Sequence, residues 1–144
     1  YLKDAPKSDK RLILEIIERD ELVENEACRN FLERAREQGC KIAIDDFGSG
    51  YSNFSRLIQL PMDILKIDGS LTQKCLHDEK AQHLIRIVVE YCRANDIKVV
   101  AEHVDKPEIA KFLANCGVHY LQGYHFGIPQ ESLSDPAIIE TNME

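Results

Sequence analysis

Positive charge is what this sequence is short of: 18 Lys and Arg stand against 25 Asp and Glu, a formal net charge of −7 over 144 residues. A surface that binds DNA or RNA needs clustered basic side chains to neutralise phosphates, so no nucleic-acid partner is expected. Long apolar runs are missing too. No stretch approaches the roughly 18 residues of a membrane span, and no signal-peptide pattern opens the chain, which predicts no membrane segment and a cytoplasmic location. The five cysteines, at 28, 40, 75, 92 and 116, are odd in number and contain no C-x-x-C pair. Lying mostly on apolar faces of predicted elements, they read as buried reduced thiols rather than disulfides or zinc ligands. His77, His83 and His119 have no metal-binding partner four residues on and read as structural, on exposed edges. With 44% hydrophobic and 30% charged residues, the chain can bury one sizeable core, and residues 1–144 read as a single domain with a core over 11–129 and a polar tail over 130–144.

The segment Ile42-Ala43-Ile44-Asp45-Asp46-Phe47-Gly48-Ser49-Gly50-Tyr51-Ser52 is an apolar strand that stops on two adjacent carboxylates and opens into a glycine-punctuated loop. Carboxylate oxygens are the hard ligands that Mg²⁺ and Mn²⁺ prefer, and the glycines allow a sharp turn where side chains converge. Taken alone, D-D-x-G is also a common surface turn of solvated acids. Recurrence argues for a site. Residues 11–14 lead to Glu15, with Glu18 three positions on; 63–65 lead to Lys66-Ile67-Asp68; 97–101 lead to Glu102; and 119–121 lead to Gln122-Gly123.

Helical periods lie between these runs. Cys28, Phe31, Leu32 and Ala35 follow i, i+3, i+4, i+7; Ala81, Leu84, Ile85, Val88, Val89 and Cys92 extend the spacing over three turns; and Ile109, Phe112, Leu113 and Cys116 repeat it. Asp105 and Glu108 around Pro107 read as a capping arrangement, and Gly39 and Gly117 as helix stops. Strand alternating with helix predicts right-handed βαβ crossovers and a parallel α/β sheet, whose ligand site lies at the carboxyl ends of the strands. Glu15, Asp45, Asp46, Lys66, Glu102 and Gln122 are all expected on that rim. A closed βα-barrel takes about 250 residues, so five strands make a partial one.

These residues resemble a known family. The segments 45–52 (D-D-F-G-S-G-Y-S), Leu65-Lys66-Ile67-Asp68, Val99-Val100-Ala101-Glu102 and Leu121-Gln122-Gly123-Tyr124 occur in the order and near the spacing of the EAL-domain phosphodiesterases, which hydrolyse cyclic di-GMP. Leu14-Glu15-Ile16-Ile17-Glu18 looks like the family's E-x-T-E segment. The resemblance, from about residue 11 to 129, implies a partial (β/α) barrel of TIM type with about five βα units. It implies two Mg²⁺ or Mn²⁺ ions and cleavage of cyclic di-GMP to linear pGpG. Position by position, Glu15, Asp45, Asp46 and Glu102 match metal ligands, with Asp45 in the bridging place. Lys66 matches a lysine beside the attacking water, Gln122 a glutamine lining the metal and water site, and Glu18 the glutamate that holds the loop after Asp46. Residues 47–53 match the segment thought to couple metal binding to dimerisation. The chemistry is coherent: a phosphodiester is anionic, and paired divalent ions neutralise it while generating hydroxide near neutral pH.

Three departures from the family pattern bear on activity. The Glu-Ala-Leu segment and the next strand, with its asparagine ligand, would both precede Tyr1, leaving the two-metal site incomplete; the chain alone is expected to be a weak or inactive catalyst. Ile17 replaces the usual threonine. Glu102-His103-Val104-Asp105 replaces E-G-V-E, and the shorter Asp105, a loop-supporting candidate, puts a supporting contact in doubt. The bare edges of a five-stranded piece predict a homodimer or a missing N-terminal barrel half. Two functions follow: a metal-dependent phosphodiesterase within a longer signalling protein, or a degenerate non-catalytic module acting as a cyclic di-GMP receptor or protein-interaction domain.

Overall fold

The computed structural model describes residues 12–17, 26–50 and 54–129. Its elements are β1 (Ile13–Ile17), α1 (Glu26–Glu37), β2 (Lys41–Phe47), α2 (Phe54–Gln59), β3 (Ile64–Ile67), α3 (Gly69–Lys74), α4 (Glu79–Ala94), β4 (Lys98–Ala101), α5 (Pro107–Cys116) and β5 (Tyr120–Leu121). The strands form one parallel sheet in the order β1-β2-β3-β4-β5. Spatial order equals chain order, so every right-handed crossover steps the same way and sends its helix to the same face. This is the winding of a TIM-type barrel, here five strands of one, and not of a doubly wound sheet. Arg11, Glu18, residues 51–53 and the tail from 130 lie outside the described residues.

The core lies mainly on the helical face. Ile42, Ile44, Leu65, Ile67, Val99 and Ala101 alternate along β2, β3 and β4 and are at most 1% exposed. Most of them pack with Ile85, Val88, Val89 and Cys92 of α4 and Ile109 and Leu113 of α5. A smaller cluster joins Leu32 and Ala35 of α1 to Cys40 and Ile42. The helical periods of α4 and α5 thus face the sheet as expected, and Gly39 and Gly117 end their helices at φ +88° and +87°. The five cysteines are free thiols, three of them buried.

By the two-residue period of a strand and the registers, Ile13, Glu15, Ile17, Ala43, Asp45, Ile64, Lys66, Val100 and Tyr120 share the opposite face. In a barrel this is the inner face. It carries Glu15, Asp45 and Lys66, which is why these three escape the apolar core.

Several expectations need correction. Glu15 and the Asp45–Asp46 pair do not end their strands: β1 runs on to Ile17, paired with Asp45, and β2 runs on to Phe47, paired with Ile67. Between Ile44↔Leu65 and Phe47↔Ile67 β2 advances three residues against two on β3, a bulge that contains both aspartates. Phe31 is 53% exposed, because the narrow seat of α1 at the sheet edge is filled by Leu32 and Ala35. Asp105 and Glu108 do not cap α5: Lys106 is its N-cap residue without a side-chain bond, Pro107 opens the helix, and the Asp105 carboxylate is held elsewhere.

The amino-terminal end of the sheet is tied by Asp63, just before β3. Its carboxylate accepts from Lys41 Nζ at 2.8 Å and the Ile42 amide at 3.0 Å, and lies 3.3 Å from Arg36 Nε. Burial alone would raise its pKa, but the Lys41 and Ile42 hydrogen bonds and the Arg36 charge outweigh that and hold it below the ordinary 3.8. A depressed carboxylate stabilises the fold above its unfolded pKa, and this contribution fades as pH falls through the folded value. Asp63→Asn is expected to lose about 1–2 kcal/mol in urea denaturation at pH 7, the figure reduced because both cations are partly exposed. The gap from wild type should close below pH 3.8; a constant gap would remove the ion pairs from the explanation.

Candidate active site

Lys66 stands at the centre of the inner face. Its ammonium lies 2.8 Å from Glu102 Oε1, 2.9 Å from Asp45 Oδ2 and 3.3 Å from Glu15 Oε2. Four neighbouring strands thus bring one charged side chain each to a single point, Glu102 from the residue that follows β4. The Lys66, Glu102 and Asp45 side chains are only 12%, 14% and 19% exposed, whereas Glu15 on the edge strand is 53% exposed. Burial disfavours the ammonium, but hydrogen bonds to Glu102 and Asp45 outweigh it and raise the Lys66 pKa above its ordinary value. Lys66 therefore stays charged throughout the neutral range.

The bulge orients Asp45. Asp46 takes a left-handed φ of +61°, and its amide donates to Asp45 Oδ1 at 2.8 Å while Oδ2 faces Lys66. Each oxygen of Asp45 therefore has a defined partner. Asp46 is half-buried, and its carbonyl accepts from the Ser49 amide at 3.2 Å.

Glu102 also borders a cleft of about 670 Å³ whose lining includes Asp68, Gln73, His103, Gln122 and Tyr124. Gln122 is exposed; its backbone bridges Ala101 and Val104. Gly123 permits this close approach, since a Cβ there would fall 2.2 Å from the Val104 carbonyl oxygen. His103 has φ +56°, a conformation that costs an L-residue about 1–2 kcal/mol and that glycine adopts freely. Its ring lies over Gly69, where a Cβ would come within 2.6 Å of it. Gln73 Nε2 donates to the His103 carbonyl at 2.6 Å and to Asp105 Oδ1 at 2.9 Å. Asp105 thus finds a partner despite its short side chain.

Glu15, Asp45, Lys66 and Glu102 are brought together, Asp46 is adjacent to them in the bulge, and Gln122 shares the cleft with Glu102. Glu18 is outside the described residues. Sequence reasoning missed Gln73 and the cleft positions of His103 and Tyr124; Asp68 was visible as a strand end, and the Asp68-x-Ser70 spacing could have marked the cap of α3, where the Asp68 carboxylate accepts from the Ser70 amide at 2.9 Å. Three carboxylates against one ammonium leave two formal negative charges, a hard-oxygen donor set suited to a divalent cation. Among the described residues, no three His, Cys, Asp or Glu side chains are already set around a common ion position. Lys66 holds that centre instead.

The sequence matches the EAL domain family over residues 1–129. This chain belongs to the EAL domain family. It is 36% identical over 120 residues to the cyclic di-GMP phosphodiesterase PdeF of Escherichia coli K12, covering 83% of this chain and 16% of PdeF. Among solved structures, the EAL enzyme Bd1971 in its cAMP and cyclic di-GMP bound form superposes with a TM-score of 0.75 at 36% identity, over 81% of this chain and 31% of that one. The manganese and cyclic di-GMP complex of Klebsiella pneumoniae BlrP1 gives 0.74 at 33% identity, over 81% of this chain and 30% of that one. The chain therefore spans a minor part of the relatives it matches. In this chain Asp45 and Lys66 lie in the carboxyl-terminal halves of their strands, Glu102 just past the end of β4, and Glu15 in the middle of β1. Among the described residues, no helix is long and apolar enough to cross a membrane.

Removing the ammonium from this EAL domain leaves three acids facing one another. Lys66→Met is expected to lower stability by about 1–3 kcal/mol in urea at pH 7 and low salt, less than for a fully buried pair because Glu15 is half-exposed. Unchanged stability would mean that the acids are not gathered as described.

Proposed function

We propose that the chain carries the catalytic centre of a metal-dependent phosphodiesterase that hydrolyses cyclic di-GMP to linear pGpG, within a longer cytoplasmic signalling protein. The observation that carries the reading is the convergence of Glu15, Asp45 and Glu102 from three strands on one point beside a cleft. Relatives named as cyclic di-GMP phosphodiesterases, and a neighbour bound to manganese and cyclic di-GMP, support it.

Glu15, Asp45, Asp46 and Glu102 would hold Mg²⁺ or Mn²⁺ ions, Asp45 between them. Bound there, divalent cations lower the pKa of a shared water and neutralise phosphoryl oxygens. As a cation beside that site, Lys66 would orient a water and offset developing charge. Gln122, the residue after β5, would line the water site. Asp105 and Glu18 would support the flanking loops, and a homodimer or a missing amino-terminal barrel half would cover the bare edges of the sheet. The core of this domain ends near residue 129.

A second reading, a cyclic di-GMP receptor or interaction module without catalysis, is favoured by two observations. The acids close on Lys66 rather than on a common ion position, and a strained His103 follows Glu102.

Chromatographic assay of pGpG from cyclic di-GMP with Mn²⁺, made on the longest available protein that carries this chain, separates the two. The first reading expects turnover that falls on the order of 100-fold in Asp45→Asn. Nucleotide binding with no pGpG from either protein would establish the receptor; equal pGpG from both would end the bridging role of Asp45.

A further inference from the structure

Glu102 joins the Lys66 cluster to the cleft, and the loop that carries it is held from two sides. On one side Val104, fully buried, donates its amide to the Gln122 carbonyl and accepts the His125 amide, both at 3.0 Å. On the other side stands Gln73, thirty residues away in sequence on α3. Its amide nitrogen has two hydrogens, and the loop offers two acceptors, the His103 carbonyl and the Asp105 carboxylate, which flank Val104.

A left-handed His103 persists only where its surroundings over-determine it. The glycine usual in this family would need less restraint. Here the ring rests over Gly69 and the carbonyl is bound by Gln73, four residues further along the same short helix. An amide of this length supplies both donors, whereas a carboxylate would face the Asp105 charge and a carbonyl lone pair, and an aliphatic residue would leave both acceptors unmatched.

From this geometry we infer that Gln73 is a positioning residue for Glu102: its side-chain amide clamps His103 and Asp105, fixing the turn that aims the Glu102 carboxylate at the metal and Lys66 centre. Gln73 touches neither the acids nor Lys66 in the cluster; it acts through the loop. The inference rests on the phosphodiesterase reading for the purpose of the clamp, though not for its existence.

The test compares wild type with Gln73→Leu, Asp105→Ala, the double variant and Asp105→Asn, which keeps an acceptor oxygen. Three quantities are read: amide hydrogen exchange at residues 102–105, Mn²⁺ affinity by titration, and kcat against KM. Gln73→Leu is expected to speed exchange at these amides at least tenfold, weaken Mn²⁺ binding roughly 10- to 100-fold, and lower kcat with KM nearly unchanged. The double variant should be no worse than the poorer single one, and Asp105→Asn should recover part of the loss. Unchanged exchange in Gln73→Leu overturns the clamp whatever the metal does, as do losses that simply multiply in the double variant. If exchange responds while wild type itself binds no Mn²⁺, the phosphodiesterase reading fails, and with it the purpose assigned to the clamp.

Discussion

One ammonium facing three carboxylates is the constraint on which the site depends. Like charges on adjacent strands would push the sheet's carboxyl end apart, and Lys66, with Asp45 and Glu102 at 2.9 and 2.8 Å, offsets that repulsion inside a half-buried pocket. The pairing is incomplete in charge: two formal negative charges remain, which a divalent ion in the proposed site would balance. A structural lysine would be expected to bring its surroundings near neutrality; this one does not.

Everything else in the fold serves to hold those four side chains on one face. Parallel winding in chain order places the helices and the apolar core on one side, so the other side of each strand is free to carry charge. The bulge in β2 then breaks the regular alternation at two adjacent aspartates, which a regular strand would point to opposite faces. The left-handed φ of Asp46 is the local cost of that arrangement, and the hydrogen bond from its amide to Asp45 is part of what offsets it.

The three longer helices were legible because the 3.6-residue period persists over enough residues to be read, and the strands because each is a short apolar run leading to a polar residue. Glu15, Asp45, Lys66, Glu102 and Gln122 were legible as polar interruptions of apolar runs. The six-residue helices α2 and α3 were not, since fewer than two turns carry no period. Nor was the bulge, which is a relation between strands. Asp105 looked like a cap because Pro107 and Glu108 follow it; only the folded chain brings Gln73 across 32 residues to claim its carboxylate. Contacts of that kind leave no local trace in composition or spacing.

The central claim is that acids from neighbouring strand ends share a divalent-ion site at the place Lys66 now organises. The most direct measurement is an anomalous difference map from crystals of the protein grown with Mn²⁺ and cyclic di-GMP. Peaks within bonding distance of Asp45 and Glu102 oxygens, with a phosphate beside them, are the predicted result. Nucleotide bound in the cleft with no Mn²⁺ on these carboxylates would contradict it.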